Sequence, residues 1–351
     1  MTIKVGVIGI GSISDMHIQA YKKNTQVDLI AFCDLSEERL KEKGEKYDVE
    51  NLYTNYEELL ANDSIDAVSI CTWNDSHAKI AIKALEAGKH VLVEKPLSMT
   101  VEEAKAVESA VEKTGKILQV GFVRRHADNA HVLKRFIDDG ELGEIYYAKA
   151  SILRRLGNPG GWFSDISKSG GGPLIDLGVH MIDISWYLMG RPKPVSVSGN
   201  AYKKLGNRGH IENLSFYKAA DYDPAHNDVE DLSNALIRFE NGASLYVDVS
   251  FSLHLKQEET KAQLFGEKGG AEIEPGLSIV TEKHNTILNV TPQMDHLGFD
   301  FIKAFTNEIN HFVECVKDGK ETIAPVSDGV EIMRILNAVY ESAETGKEVY
   351  L

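Results

Sequence analysis

Cysteine is scarce. The 351 residues hold three, Cys33, Cys71 and Cys315, odd in number and far apart. Such spacing fits neither a disulfide framework nor a thiolate metal site, and it suits buried thiols in a reducing compartment. No metal is expected. Long apolar runs are missing too, since none approaches the ~20 residues that a membrane span needs. Basic charge is in deficit: 53 acidic residues face 38 basic ones, a formal net charge of −15. That surface repels phosphate backbones and anionic lipids, so neither nucleic acid nor membrane is expected as a partner. Met1-Thr2-Ile3-Lys4 leads straight into an apolar stretch without a signal-peptide pattern, and a cytoplasmic protein is expected.

What is present is an ordinary globular composition, 43% hydrophobic and 26% charged, over a length that calls for about two domains. The apolar run Ile3–Ile8 is followed by Gly9-Ile10-Gly11-Ser12-Ile13-Ser14 and then by an amphipathic segment, Asp15 to Lys23. Strand, glycine turn and helix form the context of a dinucleotide fingerprint. Gly9 permits the tight turn and Gly11 the approach of a pyrophosphate to the helix N-terminus, although Ser14 replaces the third glycine. The turn residues Gly9, Ile10, Gly11, Ser12 and Ile13 are the expected cofactor cradle.

The second strand, Val27–Cys33, ends at Asp34 and Leu35. A carboxylate there is placed for the ribose hydroxyls of NAD, while Arg39 nearby keeps NADP open. Asp34 or Ser36 can also cap the helix that follows, to Tyr47. A short third strand falls at Leu52-Tyr53. A fourth, Ala67–Cys71, opens into Thr72-Trp73-Asn74-Asp75-Ser76-His77. Ligands in open α/β sheets bind beyond the strand carboxyl ends, so Thr72, Trp73, Asn74 and His77 are expected at the cofactor; capping by Asn74 or Ser76 is the plainer alternative. The fifth strand, His90–Glu94, delivers Lys95. Thr100 and Glu103 predict a capping box for a Val101–Thr114 helix, and Lys116–Phe122 is the sixth strand.

Beyond Phe122 the pattern changes. Asp128 is expected to cap a helix to about Asp139, followed by a strand over Ile145–Leu153, a glycine-dense stretch from Arg154 to Pro173, and an amphipathic helix over Ile175–Met189. Asn241-Gly242 between Leu232–Phe239 and Ala243–Phe251 predicts a hairpin, and Gly269-Gly270 a second. The expected second domain is α+β, with a large, open, mostly antiparallel sheet, one face on helices and the other covered in a homo-oligomer. Tyr202–Asp228 reads as a long insertion loop without assigned chemistry. Helices over Phe299–Lys317 and Asp328–Thr345 close the chain, the second ended by Gly346. The expected domains are residues 1–123, a doubly wound parallel sheet, and 124–351, with the last helices able to pack back on the first.

Three features converge: Glu94-Lys95-Pro96, Arg124-Arg125-His126, and Gly170-Gly171-Gly172-Pro173-Leu174-Ile175-Asp176-Leu177-Gly178-Val179-His180. Asp176 and His180 are spaced to project from one helix face. The glycines permit close backbone approach to a ligand. Hydride transfer from a secondary alcohol needs a base near neutral pH, which His180 supplies, and a fixed positive charge for the developing alkoxide, which Lys95 supplies.

Together these stretches resemble the glucose–fructose oxidoreductase and inositol 2-dehydrogenase (Gfo/Idh/MocA) family. The resemblance rests on the GIGSIS turn, CTWNDSH, GKHVLVEKP, GFVRRH, GGGPLIDLGVH and the late FENGA hairpin, and spans nearly the whole chain. It implies a Rossmann domain with NAD, and an open-faced second domain that makes a homodimer or homotetramer through its sheet. It also implies Lys95, Asp176 and His180 as the catalytic trio, and a cis Lys95–Pro96 bond. Lys95, Val123, Arg124, Arg155, Asn158, Trp162, Asp176 and His180 are implied at a polyol or sugar substrate. Trp73 departs from the proline usual there. The implied activity is oxidation of a ring hydroxyl in a sugar, glycoside or inositol. A cofactor-binding regulator and a carbonyl reductase are the alternatives.

Overall fold

The computed structural model describes residues 2–351. By its internal packing the chain forms two compact units, Met1–His126 with Phe301–Met333, and Ala127–Asp300 with Arg334–Leu351.

The first unit is built on six parallel strands, β1 (Ile3–Ile8), β2 (Val27–Cys33), β3 (Asn51–Tyr53), β4 (Ala67–Ile70), β5 (His90–Glu94) and β6 (Leu118–Gly121). They run in the order β3-β2-β1-β4-β5-β6, the doubly wound order whose direction reverses between β1 and β4. The helices between them are α1 (Ser14–Lys23), α2 (Glu37–Tyr47), α3 (Tyr56–Leu60), α4 (Asn74–Glu86) and α5 (Val101–Thr114). The strands read as continuous apolar runs because both sheet faces are covered. Val5, Val7, Ala67 and Leu92 are fully buried, and Ile309, Phe312 and Val313 of the helix Phe301–Asp318 join the same core. The capping box forms as the sequence predicts, with Thr100 accepting from the backbone of Glu103. Ser36, rather than Asp34, caps α2.

The second unit begins with α6 (Asp128–Asp138) and the strand β7 (Ile145–Leu153), followed by the short helix α7 (Ile166–Ser169) and by α8 (Val179–Leu188). The strands β8 (Pro194–Tyr202), β9 (Leu232–Phe239), β10 (Ser244–Ser250), β11 (Glu259–Gly266), β12 (Gly269–Glu274), β13 (Ser278–Lys283), β14 (Thr286–Val290) and β15 (Val349–Tyr350) complete it. All nine strands form one sheet, β14-β13-β12-β11-β7-β10-β9-β8-β15. The pair β7–β10 is parallel and the other pairs are antiparallel. Ala148, Ala150, Leu245, Val247, Ile237 and Leu264 are buried on one face. The alternate positions, among them Tyr147, Lys149, Tyr246 and Asp248, are more exposed, as period two requires.

Several local expectations need correction. Gly269 and Gly270 are strand residues, not a turn. Neither has the positive φ of a hairpin turn, and a Cβ on Gly269 would meet the Val280 carbonyl oxygen at 2.7 Å, so the glycines there admit a neighbouring strand. The Asn241-Gly242 turn does form, with Gly242 at φ 84. Asp128 is the first residue of α6, after an extended Ala127; its charge sits in the first turn instead of capping. The stretch Ile175–Met189 is not amphipathic. It divides into a π-helical turn, Leu174–Gly178, and α8, of which only His180 and Tyr187 escape full burial.

All three cysteines are free and buried. Burial pushes Cys33 up to about 12 and raises Cys71 and Cys315 as well, so all three stay as thiols near neutral pH.

Candidate active site

The glycine turn comes first. Gly9 has φ 80, a conformation that favours glycine, and a Cβ there would strike the backbone of Cys71 at 2.8 Å. Nothing lies within 4 Å of the position a Cβ would take on Gly11, which leaves the open approach that a pyrophosphate needs at the start of α1. Asp34 Oδ2 accepts the Ile10 amide at 2.9 Å, and Oδ1 accepts the Ser36 amide at 2.9 Å. Arg39 lies on the same carboxylate at 3.0 Å. Leu35 is 87% exposed beside it. A residue that sequence reading missed sits under the turn: Lys43, from α2, donates to the Gly11 carbonyl at 2.9 Å and to Asp15 at 2.8 Å. These residues fit a dinucleotide: a glycine turn open at Gly11, a carboxylate at the end of β2 and a lysine bonded to the turn.

The second feature is the end of β5. Glu94 is buried, and its Oε1 meets His17 Nε2 at 2.9 Å. Its Oε2 accepts the Lys95 amide at 3.2 Å. Gly121 on β6 leaves room for this carboxyl, since a Cβ there would lie 3.2 Å from Oε2. Burial disfavours the ionised form of Glu94, but the hydrogen bond and charge of His17, with Lys95 and His77 nearby, outweigh it and hold its carboxyl below the usual value. His17 is fixed from its other side by Ser69 at 3.3 Å, and Ser69 in turn meets the Tyr21 hydroxyl at 2.7 Å. Glu308 joins His17 and Glu94, with a ligand atom of each within 4.8 Å of the others. Lys95 is half-buried and its bond to Pro96 is cis.

His77, expected at the cofactor, is 1% exposed. Its Nδ1 faces the Pro96 carbonyl at 2.7 Å and its Nε2 the Thr72 carbonyl at 3.0 Å. It therefore sits between the loop after β4 and the loop after β5, a backbone carbonyl facing each ring nitrogen. Burial lowers its pKa, although both carbonyls pull it upward. Trp73, by contrast, is 42% exposed. Neither Asn74 nor Ser76 caps α4: the position before the helix is Trp73, and the Ser76 hydroxyl donates back to its carbonyl at 2.8 Å.

In the second unit, Asp176 lies within the π-helical turn and His180 in the first turn of α8, both half-buried. Single π turns inside α-helices recur at functional sites. The glycines ahead of them are set tightly against other parts of the protein. A Cβ on Gly171 or Gly172 would run into Tyr340 or Glu230, so they make room for protein groups. Glu230 and Tyr340 were invisible as site residues in the sequence.

The remaining substrate candidates separate. Asn158 is 1% exposed; its amide donates to Asn227 at 2.8 Å and its oxygen accepts the Gly160 amide and the Ser164 hydroxyl, each at 2.9 Å. These bonds hold the loop together. Arg155 is exposed and Trp162 half-buried, with the Trp162 ring packed on Phe163 at 3.9 Å between centroids. In the first unit Val123 is buried and Arg124 half-buried in a 3-10 turn. The adjacent Arg125 is fully buried and pairs with Asp328 at 2.5 Å. The insertion after β8 carries no regular structure. It is pinned by Asp231, which accepts the amides of Lys204, Leu205 and Gly206.

A doubly wound sheet with a glycine turn after β1 and a carboxylate at the end of β2 is the arrangement of a dinucleotide-binding domain. Residues 3–122 match the oxidoreductase family's NAD-binding Rossmann fold, and residues 134–351 match its C-terminal α/β domain. The chain thus belongs to the Gfo/Idh/MocA oxidoreductase family. It is 33% identical over 356 residues to D-glucoside 3-dehydrogenase of Escherichia coli K12, covering 99% of this chain and 97% of that one. It is 31% identical over 354 residues to scyllo-inositol 2-dehydrogenase (NAD(+)) of Bacillus subtilis 168, covering 99% and 96%. A solved structure of levoglucosan dehydrogenase with NADH and L-sorbose matches with a TM-score of 0.87 at 25% identity, over 99% of this chain and 98% of the other. Among the described residues no helix is long and apolar enough to cross a membrane.

Proposed function

We propose that the chain is an NAD-dependent dehydrogenase that oxidises a secondary ring hydroxyl of a sugar, glycoside or inositol. The observation that carries this reading is Lys95, presented at the carboxyl end of β5 by a buried Glu94 that takes its amide. Strand carboxyl ends of this sheet type are where the cofactor binds. The names of the relatives, which act on a glucoside and an inositol, support the substrate class.

NAD, when bound, accepts the hydride. Gly9, Ile10, Gly11, Ser12 and Ile13 hold its pyrophosphate, Asp34 and Leu35 its adenosine end, and Thr72, Trp73, Asn74, Glu94 and Lys95 its nicotinamide end. His180 takes the hydroxyl proton at an imidazole nitrogen. Lys95 places a fixed positive charge where the alkoxide develops. Asp176 orients the base or a neighbouring hydroxyl. Arg124, Arg155 and Trp162 contact the sugar, the indole against its apolar face. Asp34, already held by two amides, keeps a negative charge at the ribose and favours NAD over NADP. The exposed sheet face, where Tyr147 and Phe265 stack at 5.4 Å, is proposed to be covered by another copy of the chain.

The test is NADH formation across inositols, monosaccharides and glycosides, each with NAD and NADP. Turnover of one class with NAD is expected. A flat panel together with tight NAD binding would overturn the reading in favour of a cofactor-binding regulator.

A further inference from the structure

We infer that Glu230 is a positioning residue that sets the turn carrying Asp176 and His180, and that Tyr340 holds Glu230 in place. The inference rests on the dehydrogenase reading above and deepens it.

The geometry is a relay of hydrogen bonds within the second unit. Glu230 is 2% exposed. Its Oε2 accepts the Gly172 amide at 2.9 Å and its Oε1 the Leu174 amide at 3.1 Å. These two amides belong to the start of a helical segment, where backbone donors have no partner inside the helix. The carbonyls of the same two residues point onward. Gly172 O accepts the Asp176 amide at 3.0 Å, and Leu174 O accepts the Val179 amide. One carboxylate thereby fixes the two residues that orient Asp176 and the residue before His180. Hydrogen bonds in such a chain polarise one another.

Tyr340 completes the arrangement by donating its hydroxyl to Glu230 Oε1 at 2.9 Å. Burial first, then the negative charge of Glu230, push this hydroxyl well above its ordinary pKa, so it remains a donor through the alkaline range. The three donors fit within the about four acceptor sites of a carboxylate and exceed the about two of an amide oxygen. The glycines now have a physical reason. A side chain at Gly172 would displace Glu230, and one at Gly171 would displace Tyr340. The adjacent Asp231 does the same work for the insertion, accepting its Leu205 amide at 2.5 Å and its Gly206 amide at 2.8 Å.

The test compares wild type with Glu230→Gln and Tyr340→Phe. The glutamine has the same shape but turns an NH2 toward a backbone N–H. Because small misplacements of catalytic groups cost up to about a hundredfold, kcat should fall roughly tenfold or more in Glu230→Gln and by less in Tyr340→Phe. NADH affinity and KM for NAD should stay within about twofold, since the cofactor cradle lies in the other unit. The acid limb of the kcat–pH profile should move in Glu230→Gln. A residue serving stability alone would lower Tm without moving that limb. Hydrogen exchange gives a second readout: the Gly172 and Leu174 amides should lose protection in Glu230→Gln. If the glutamine variant does not fold, Tyr340→Phe carries the comparison. Wild-type kcat per NADH-binding site in the folded variants, or unchanged protection, overturns the inference. A wild type silent on every polyol is a different result and overturns the dehydrogenase reading itself.

Discussion

Glu94 Oε1 and His17 Nε2 lie 2.9 Å apart with both side chains buried, although 77 residues separate them. The pair joins α1, just beyond the glycine turn, to the end of β5, just before Lys95. One carboxyl therefore links the cofactor cradle to the lysine proposed to stabilise the alkoxide.

His17→Ala should expose the cost of that arrangement. Removing one partner of a buried, hydrogen-bonded pair leaves the other uncompensated and typically costs about 3–5 kcal/mol. Chemical denaturation at pH 7 should show a loss of that order. A loss below about 1 kcal/mol would mean that the buried Glu94 does not depend on the histidine as its partner.

Acid should weaken the first unit in two stages, and the signs can be worked out. Burial lowers the His77 pKa below 6.5, so below that pH the unfolded chain binds a proton that the folded chain refuses, and stability falls. Glu94 is lowered from 4.5. Its contribution is complete above that value and is lost as pH falls through the lower folded value. Tm measured against pH should decline from about 6.5 and again from about 4.5. The difference curve between wild type and His77→Gln isolates the first stage; its absence would show that the two carbonyls hold His77 protonated in the folded state.

Lys95→Ala should lower kcat by about two to three orders of magnitude, the scale of removing one preorganised electrostatic group. NADH binding, followed by fluorescence, should persist, because the cradle rests on Gly9, Gly11 and Asp34. Turnover equal to wild type would remove Lys95 from the mechanism.

Much of the first unit was legible because its signals are local. Apolar runs mark buried parallel strands, and β1, β2 and β5 fall at the predicted residues. Glu94-Lys95-Pro96 could be placed because a strand end in this fold has a known orientation. What escaped the sequence is long-range. His17, Lys43 and Arg125 are ordinary polar residues until the fold brings them to Glu94, Gly11 and Asp328. The glycines at 171 and 172 were visible but their reason was not, since Tyr340 and Glu230 are distant in sequence. The loop partners of Asn158, namely Gly160, Ser164 and Asn227, were equally out of sight. The π-helical turn has no compositional mark that separates it from the apolar helix it enters.

Asp328→Ala should destabilise without touching chemistry. Arg125 is fully buried, its guanidinium bonded to Asp328 at 2.5 Å and to the Ile323 carbonyl at 2.6 Å. Loss of the aspartate leaves an uncompensated buried charge, at about 3–5 kcal/mol. Urea denaturation should show the drop, while NADH affinity at low temperature stays near wild type. A paired Arg125→Met substitution should recover part of the loss, because a neutral side chain of similar length needs no counter-ion.

Cofactor choice should turn on Asp34 and Arg39. Asp34 accepts from the Ile10 and Ser36 amides, so its carboxylate stays at the ribose end whether or not Arg39 is in contact with it at 3.0 Å. A fixed negative charge there repels a 2′-phosphate and accepts ribose hydroxyls. Arg39, whose side chain is 41% exposed, is the only part of this pair able to favour the phosphate. Asp34→Ser keeps a small acceptor near Ile10 and releases the guanidinium. A hydrogen bond to a charged group contributes about 1.5–3 kcal/mol, so kcat/KM with NAD should fall roughly tenfold or more. With NADP it should rise by a similar factor, so that the preference inverts. The double substitution Asp34→Ser with Arg39→Ala should lose the NADP gain and keep the NAD loss. If the single variant gains nothing with NADP, Arg39 does not reach the phosphate and selectivity lies elsewhere in the loop after β2.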